Sequence, residues 1–524
     1  MSRNLDLSRR ALLATIGAGG VAALLPGCRS AVEQAGDAGA GTPTPGGVLK
    51  IAQAADISPK TLLSQNNPNM AVCRTVFNTL FEYDHKTLAA KPGLAESFQL
   101  ADNGATVTLK LRQGVTFHSG RPFGAKDVLF TLDYLRKDTT SSQLKHVAKA
   151  IADASATGDG EVRLRFNHPV SNMFDLFEIM LILDSESIGD LEKGAKLIGT
   201  GPFAVDSYTP GSGLKLSRNE KYFKHRPYLD GVDISIITQS SSMLASLRSG
   251  NTHLALDMAP LDAAAVRNDP AYELVVADPH DSTFYLASNV KVAPLDRKEV
   301  RQAIAWAIDR DRVLKQVLGG IGSTSSLPWS PSSPAYDKTA AQSYHYDPAK
   351  AKQLIAQAGA AGVRLDVVYN AGLATNAAIA EIVQYNLKEA GLDAAAVPLQ
   401  AADFQGKLTS GALPGLFVNG HGFGHLNPAT LVKGAFPFNA DRNASNFDSA
   451  EYKQLADTLW KATDDTARRA AAAKVNAFLL DEQFVSDLVV SAHTYAITRK
   501  VRGLAWSMFD YLNLDETYLA GGRP

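Results

Sequence analysis

The stretch from Phe284 to Gly320 constrains this chain more than any other. Its first six residues, Phe284 to Asn289, are an apolar run closing on a polar residue, the pattern of a buried strand. Pro294 then halts the extended backbone, because proline lacks a donor and fixes φ. Asp296 is a good N-cap, and Glu299 three residues on completes a capping box. Val300, Ala303, Ile304, Ala307 and Ile308 recur at helical spacing as one apolar stripe. Asp309 caps a second predicted helix carrying Val313, Leu314, Val317 and Leu318, which Gly319-Gly320 stops.

The rest of the chain repeats this alternation. Gly46 to Ala52 reads as a first strand, and Arg74 to Tyr83 carries a short helical stripe at Val76, Phe77, Leu80 and Phe81. Leu94–Phe98 and Thr106–Arg112 form a predicted hairpin about an Asp102-Asn103-Gly104 turn. Glu161 to Phe166 alternates as a strand, and Phe174 to Leu181 suggests a nearly buried helix. Gly199-Thr200-Gly201-Pro202-Phe203 is glycine-rich but lacks the lysine and hydroxyl of a phosphate-binding loop, so it reads as a tight backbone passage. Ser323 to Pro334 is expected to be a surface loop overhanging a cleft, with Trp329 on it. Asp347 and Pro348 open a helix that Gly359 ends. Leu365–Tyr369 is a strand, Asn376–Ala390 a helix, and Val485–Ile497 contains a further strand. Strands alternating with helices imply an α/β lobe.

The N-terminus is an address. Ser8-Arg9-Arg10-Ala11-Leu12-Leu13 resembles a twin-arginine export motif, with Ala14 where a lysine is usual. The apolar run Ala11–Leu25 is too short for an easy membrane span of about 20 residues. It closes on Leu25-Pro26-Gly27-Cys28, which is similar to a lipobox and implies cleavage before Cys28 and lipidation of its sulfur. The Ala, Gly, Thr and Pro that follow make residues 28–46 a flexible tether. Apart from Cys28 the only cysteine is Cys73, whose apolar flanks mark it as a small buried hydrophobe rather than a reactive thiol.

Several chemistries lack a signature. There is no Gly-x-Ser-x-Gly, no His-Glu-x-x-His and no Cys-x-x-Cys, so no catalytic nucleophile, metal site or cofactor is expected. A net charge of −1 with dispersed Lys and Arg argues against nucleic acid as a partner. The chemistry instead gathers at Leu416 to Asn427, where three glycines alternate with His421, Phe423 and His425. Glycines at the end of a strand let a backbone pass close to a ligand, and histidines there suit a metal or an anionic group. His118 reads as a structural histidine.

Several phrases now converge on one resemblance. Asn289, Pro294, Val300-Arg301-Gln302-Ala303 and Ala307-Ile308-Asp309-Arg310 resemble the signature of the family 5 extracellular solute-binding proteins, the peptide, nickel and opine receptors of ABC importers. Gly114-Val115-Thr116-Phe117-His118 through Val128 is similar to another family segment. So are Gly199–Phe203 with Arg218–Phe223, Tyr346–Lys352, and Gly422-Phe423 with Asn427-Pro428. These phrases span roughly 46–498.

The resemblance implies an α/β, two-lobed type II periplasmic-binding-protein fold with an extra inserted domain. Residues 1–27 would be the signal peptide and 28–46 the tether. Segments 47–84, 196–285 and 496–524 would form lobe I, 85–195 the inserted domain and 286–495 lobe II. The chain would cross between lobes near the strand that starts at Phe284. It would be exported and lipid-anchored to the cell membrane, facing the periplasm or exterior. As a monomer it would capture a small-molecule or peptide ligand between its lobes and pass it to ABC permease subunits. The alternative is a surface-anchored hydrolase, or a sensory or assembly lipoprotein, on the same fold. Candidate ligand contacts are Asn66, Asn67, Trp329, Tyr369, Asn370, His421, Phe423 and His425. Peptide-binding members hold the ligand's amino terminus with an Asp whose place here falls near Gly424. Its loss argues against simple peptides and leaves opines, metal chelates, sugars or modified peptides.

Overall fold

The computed structural model describes residues 43–65, 69–84, 87–256, 258–277, 282–424 and 426–521. The expected signal peptide, Cys28 and most of the expected tether, together with Asn66, Asn67 and His425, lie outside them.

β1 (Val48–Gln53) opens a seven-stranded sheet. The chain then leaves it through the helix Met70–Val76 and a ribbon of β2 (Phe81–Tyr83) and β3 (Ala90–Pro92). β4 (Ala95–Ala101), β5 (Thr106–Leu111), β6 (Ile151–Ala156) and β7 (Glu161–Phe166) form the antiparallel sheet of an inserted body, in the order β4-β5-β7-β6. β8 (Phe203–Thr209), β9 (Gly213–Arg218), β10 (Gly231–Ile236), β11 (Leu254–Ala255) and β12 (Tyr272–Val276) return to the first sheet. A second, six-stranded sheet takes β13 (Ser282–Ser288), β14 (Ser323–Thr324), β15 (Arg364–Asn370), β16 (Asp393–Leu399), β17 (Leu416–His421) and β18 (Val485–Ser491). β19 (Thr494–Thr498) then rejoins the first. The orders are β12-β19-β11-β1-β10-β9-β8 and β14-β18-β13-β17-β15-β16. The body around the seven-stranded sheet is lobe I and that around the six-stranded sheet is lobe II.

This topology fixes where the molecule bends. The chain passes from lobe I to lobe II between β12 and β13, and back between β18 and β19. β12 pairs with β19 and β13 pairs with β18, so the two crossings run side by side. The Ala277 amide donates to the His493 carbonyl at 2.9 Å and ties them together. Two short adjacent connections between rigid sheets are the arrangement that permits hinge closure.

Local sequence accounts for the joints. Gly199 and Gly201 press on the end of the helix Met70–Val76 so closely that a Cβ on either would collide with the Val76 backbone. The glycine-rich run is thus a tight passage between lobe I and the inserted body. His118 seals it: its Nε2 lies 3.0 Å from the Gly201 carbonyl oxygen, and burial lowers its pKa, keeping the ring neutral. Arg121 joins Asp127 and Asp184 behind it, at 2.5 and 2.6 Å. Asp347 caps the helix Pro348–Gln357 by accepting from the Lys350 amide, and Asp309 accepts from Arg312.

Three expectations are corrected. The helix after Pro294 begins at Lys298 with Arg297 as an uncapped N-cap residue, so Asp296 and Glu299 form no capping box. Arg301 instead draws in the chain by donating to the Leu295 and Asp296 carbonyls. The stripe from Arg74 to Tyr83 breaks after Val76, where Phe77 turns extended, and Phe81–Tyr83 becomes a strand. The loop carrying Trp329 is buried rather than overhanging, because the Asn476 side chain binds both the Trp329 indole and the Ala335 carbonyl.

Candidate functional site

The site is built at the end of the lobe II sheet nearest the crossings. Alternation along β17 puts Phe417, Asn419 and His421 on one face, opposite Ala287, Tyr285 and Thr283 of β13. Parallel pairing of β15 with β17 sets Val368 beside Phe417, so Asn370 shares that face while Tyr369 points to the other. Tyr369 accordingly packs against the core beneath the opposite face. The Asn370 carboxamide oxygen accepts from the Gly372 amide at 2.9 Å and shapes the turn after β15.

His421 is where all three bodies meet. Its Nε2 lies 2.8 Å from Oε1 of Gln143 in the inserted body, and its Nδ1 lies 2.6 Å from the Gly422 carbonyl oxygen. The Gln143 backbone amide in turn donates to Oε1 of Gln65 in lobe I at 3.0 Å. Phe423, with a left-handed φ of 75°, sets its ring edge-on to His421 and to Phe509, centroids 5.4 and 5.6 Å away. Phe509 belongs to the C-terminal segment that packs on lobe I, so Phe423 also spans the lobes. A side chain in such a backbone region is tolerated only where its surroundings hold it.

The neighbouring Gly424 explains the absence of a carboxylate. Its carbonyl accepts from the Ser330 amide at 3.0 Å, and a Cβ there would run into the Pro328 carbonyl. No side chain fits at this position. The loop is pinned to the Trp329 segment, which is how buried Trp329 bears on the site: it braces the wall from behind.

Deeper on the same face sits the one carboxyl of β18. Asp487 of β18 pairs with Tyr285 and accepts from the Thr283 hydroxyl at 3.1 Å. Burial pushes its pKa up to about 8, against the Thr283 hydroxyl and the Arg310 guanidinium. At neutral pH it is therefore largely a neutral acid.

A second set of contacts closes the inserted body onto lobe II. Asn172 donates to the Thr430 hydroxyl at 2.9 Å and accepts from the Trp460 indole at 2.8 Å. Thr430 in turn donates to Asp175. Asn427 donates to the Ser171 carbonyl at 2.6 Å, and the Ser171 amide to the Trp460 carbonyl at 2.9 Å. His146 completes the cluster, its Nε2 3.1 Å from the Asn172 amide nitrogen, and burial drives its pKa down to about 3.

Of the candidates read from sequence, the structure brings His421 and Phe423 together between the bodies and places Asn370 on their face. Trp329 lies behind the wall and Tyr369 on the far face. Gln65, Gln143, Asn419 and Asp487 were not anticipated. Asn419 and Asp487 carry a sequence signal, a polar residue at the inward phase of an apolar strand; Gln65 and Gln143 carry none.

The chemistry offered is that of recognition. The site presents amide and imidazole hydrogen-bonding groups around aromatic rings, and Cys73 is buried with its thiol pKa pushed far up. Among the described residues no group of three His, Cys, Asp or Glu could hold a metal ion.

Comparison with known proteins agrees. The model of the bacterial extracellular solute-binding proteins, family 5, matches residues 89–440. Heme-binding protein A of Haemophilus influenzae is 26% identical over 492 residues, covering 87% of this chain and 88% of that protein. Oligopeptide-binding protein AppA of Bacillus subtilis is 30% identical over 386 residues, 68% of this chain and 69% of that one. Among solved structures, the periplasmic binding protein DppA of Helicobacter pylori in complex with the peptide STSA superposes with a TM-score of 0.80 at 21% identity. That match covers 94% of this chain and 100% of DppA. The fold is the two-lobed type II architecture.

Proposed function

We propose, from the premise that the chain belongs to the family 5 bacterial extracellular solute-binding proteins, that it is the receptor of an ABC importer. It captures a small peptide or a peptide-like solute such as an opine between its lobes and hands it to a permease. Cys28 carries the lipid that anchors it to the cell membrane, after export directed by Arg9 and Arg10.

The observation that carries this reading is the pair of hydrogen-bonded crossings, with His421 and Phe423 at the edge they control. A ligand that touches both lobes favours the closed form by the difference of its affinity for the two states. His421, Phe423, Asn370 and Asn419 supply its lobe II contacts, and Gln143 and Gln65 those of the opposite jaw. The relatives bind heme or oligopeptides by name. With position 424 unable to carry a carboxylate, a free amino terminus has no counter-charge there, which favours a solute held by neutral hydrogen bonds and aromatic packing.

A thermal-shift screen against peptides, opines, sugars and nickel chelates tests it, with each well then analysed for chemical change. Stabilisation without turnover is the expected result. Product formation in the stabilised wells overturns the receptor reading.

A further inference from the structure

A cavity of about 280 Å³ lies on the seam between the inserted body and lobe II, apart from the His421 edge. One wall is Tyr83, Phe98 and Phe174; the other is Pro334, Leu426 and Arg468. Phe98 and Phe174 meet edge-on with centroids 4.7 Å apart, and both lean on Phe81. Phe98 stands on β4, the edge strand of its sheet, and is 37% exposed, as is Leu100 beyond it at 49%. Phe98, a large apolar side chain this open that also lines the cavity, marks a place where apolar matter is taken up.

The polar groups of the cavity differ in what they have left to give. Asp175 is committed: it accepts from the Tyr83 hydroxyl at 2.7 Å on one oxygen and from Thr430 on the other. Arg468 is not. Its Nη1 reaches Asp465 at 2.9 Å and its Nη2 the Thr463 carbonyl at 3.1 Å, while its Nε is buried without a partner. Asp465 is 74% exposed, so that ion pair is a weak one. A guanidinium has five N–H donors in a planar fork. Two spent donors leave capacity for an incoming acceptor, and a carboxylate matches the fork best.

We propose that this seam cavity is a second ligand site, taking a small apolar acid whose ring or branched chain lies against Phe98 and Phe174 and whose carboxylate pairs with Arg468. At about 280 Å³ it suits one such group, just below ligand pockets that run about 300–1,000 Å³. Because Phe98 and Arg468 belong to bodies joined by the Asn172–Thr430 and Ser171–Asn427 contacts, the occupant touches both. It therefore favours the form in which the seam is shut, and by linkage it strengthens whatever the main cleft holds by the same factor as the cleft ligand strengthens it.

Calorimetric titration of the protein with 3-phenylpropanoate and with its neutral amide, each to about 10 mM, tests the assignment. The acid is expected to bind at least about tenfold more tightly than the amide, the scale of one charge-assisted contact. Arg468→Met should remove that preference, Arg468→Lys should keep part of it, and Phe98→Ala should weaken acid and amide alike. Arg364→Met, which removes an exposed arginine of β15, should change neither. No binding of either compound, equal affinity for both, or an acid preference that survives Arg468→Met each overturns it. Should Arg468→Met fail to fold, the Arg468→Lys and Phe98→Ala titrations decide.

Discussion

Nε2 of His421 lies 2.8 Å from Oε1 of Gln143, and through this contact the last residue of a lobe II strand meets the inserted body. Gln143 passes the connection to Gln65 of lobe I. The imidazole, the Gln143 side chain and backbone amide, and the Gln65 carboxamide thus link lobe II, the inserted body and lobe I in one chain of contacts.

Replacing His421 by Ala is expected to weaken the captured solute roughly 2- to 10-fold, the range of one side-chain hydrogen bond. The ligand-free protein should also open, because the Gln143 contact goes with it. Titration calorimetry and the radius of gyration in solution check the two effects. A variant that binds as the wild type does, at unchanged size, removes His421 from the site.

Gly424→Asp probes the missing carboxylate. A Cβ at 424 meets the Pro328 carbonyl, so the substitution should cost about 1–3 kcal/mol of stability through overpacking and should not create affinity for a peptide amino terminus. Thermal melting and dipeptide titration measure both. A stable variant with gained dipeptide affinity would show that the loop has room after all.

The elements that sequence made legible are those with a local cause. Asp347 and Pro348 begin their helix, Val107, Leu109 and Leu111 alternate inward on β5, and Gly199 and Gly201 mark a tight passage because only a bare Cα clears Val76. What sequence could not show depends on partners far along the chain. Gln143 acquires meaning only from His421, 278 positions later. Trp329 looks like a loop aromatic until Asn476 of a later helix buries it. Tyr369 and Asn370 alternate on any strand, but only the register of β15 on β17 decides which of them shares the His421 face.

Asn172→Ala should loosen the inserted body from lobe II. The change strands the Trp460 indole N–H and removes a donor from Thr430, both at buried positions. Losing a partner while the other group stays buried costs about 1–3 kcal/mol. A lower melting temperature with altered Trp460 emission is the expected outcome, and neither change occurring would mean that this seam does not hold the closed form.

Export can be tested without the structure. Changing Arg9 and Arg10 to Lys should hold precursor inside the cell, and Cys28→Ala should release processed or unprocessed protein from the membrane fraction. Normal export of the Lys pair refutes the twin-arginine assignment, and retention of Cys28→Ala on the membrane refutes lipidation.

The strand that carries the return crossing supplies a pH signature. Asp487 titrates at about 8 when folded, because burial disfavours its charge, and near 4 when the chain is unfolded. Between those values the folded protein keeps a proton that the unfolded chain has lost. Stability from this group is thus complete below about pH 4, falls as pH rises toward 8, and is level above it. Asp487→Asn removes the titration while leaving an oxygen to accept from Thr283. The stability of the Asn variant relative to wild type should therefore improve steadily from pH 4 to pH 8, by a few kcal/mol at order of magnitude. Denaturant unfolding of the two proteins across that range gives the difference directly. A constant gap would mean that Asp487 is ionised in the folded state, held by Arg310 as an ion pair rather than kept neutral by burial.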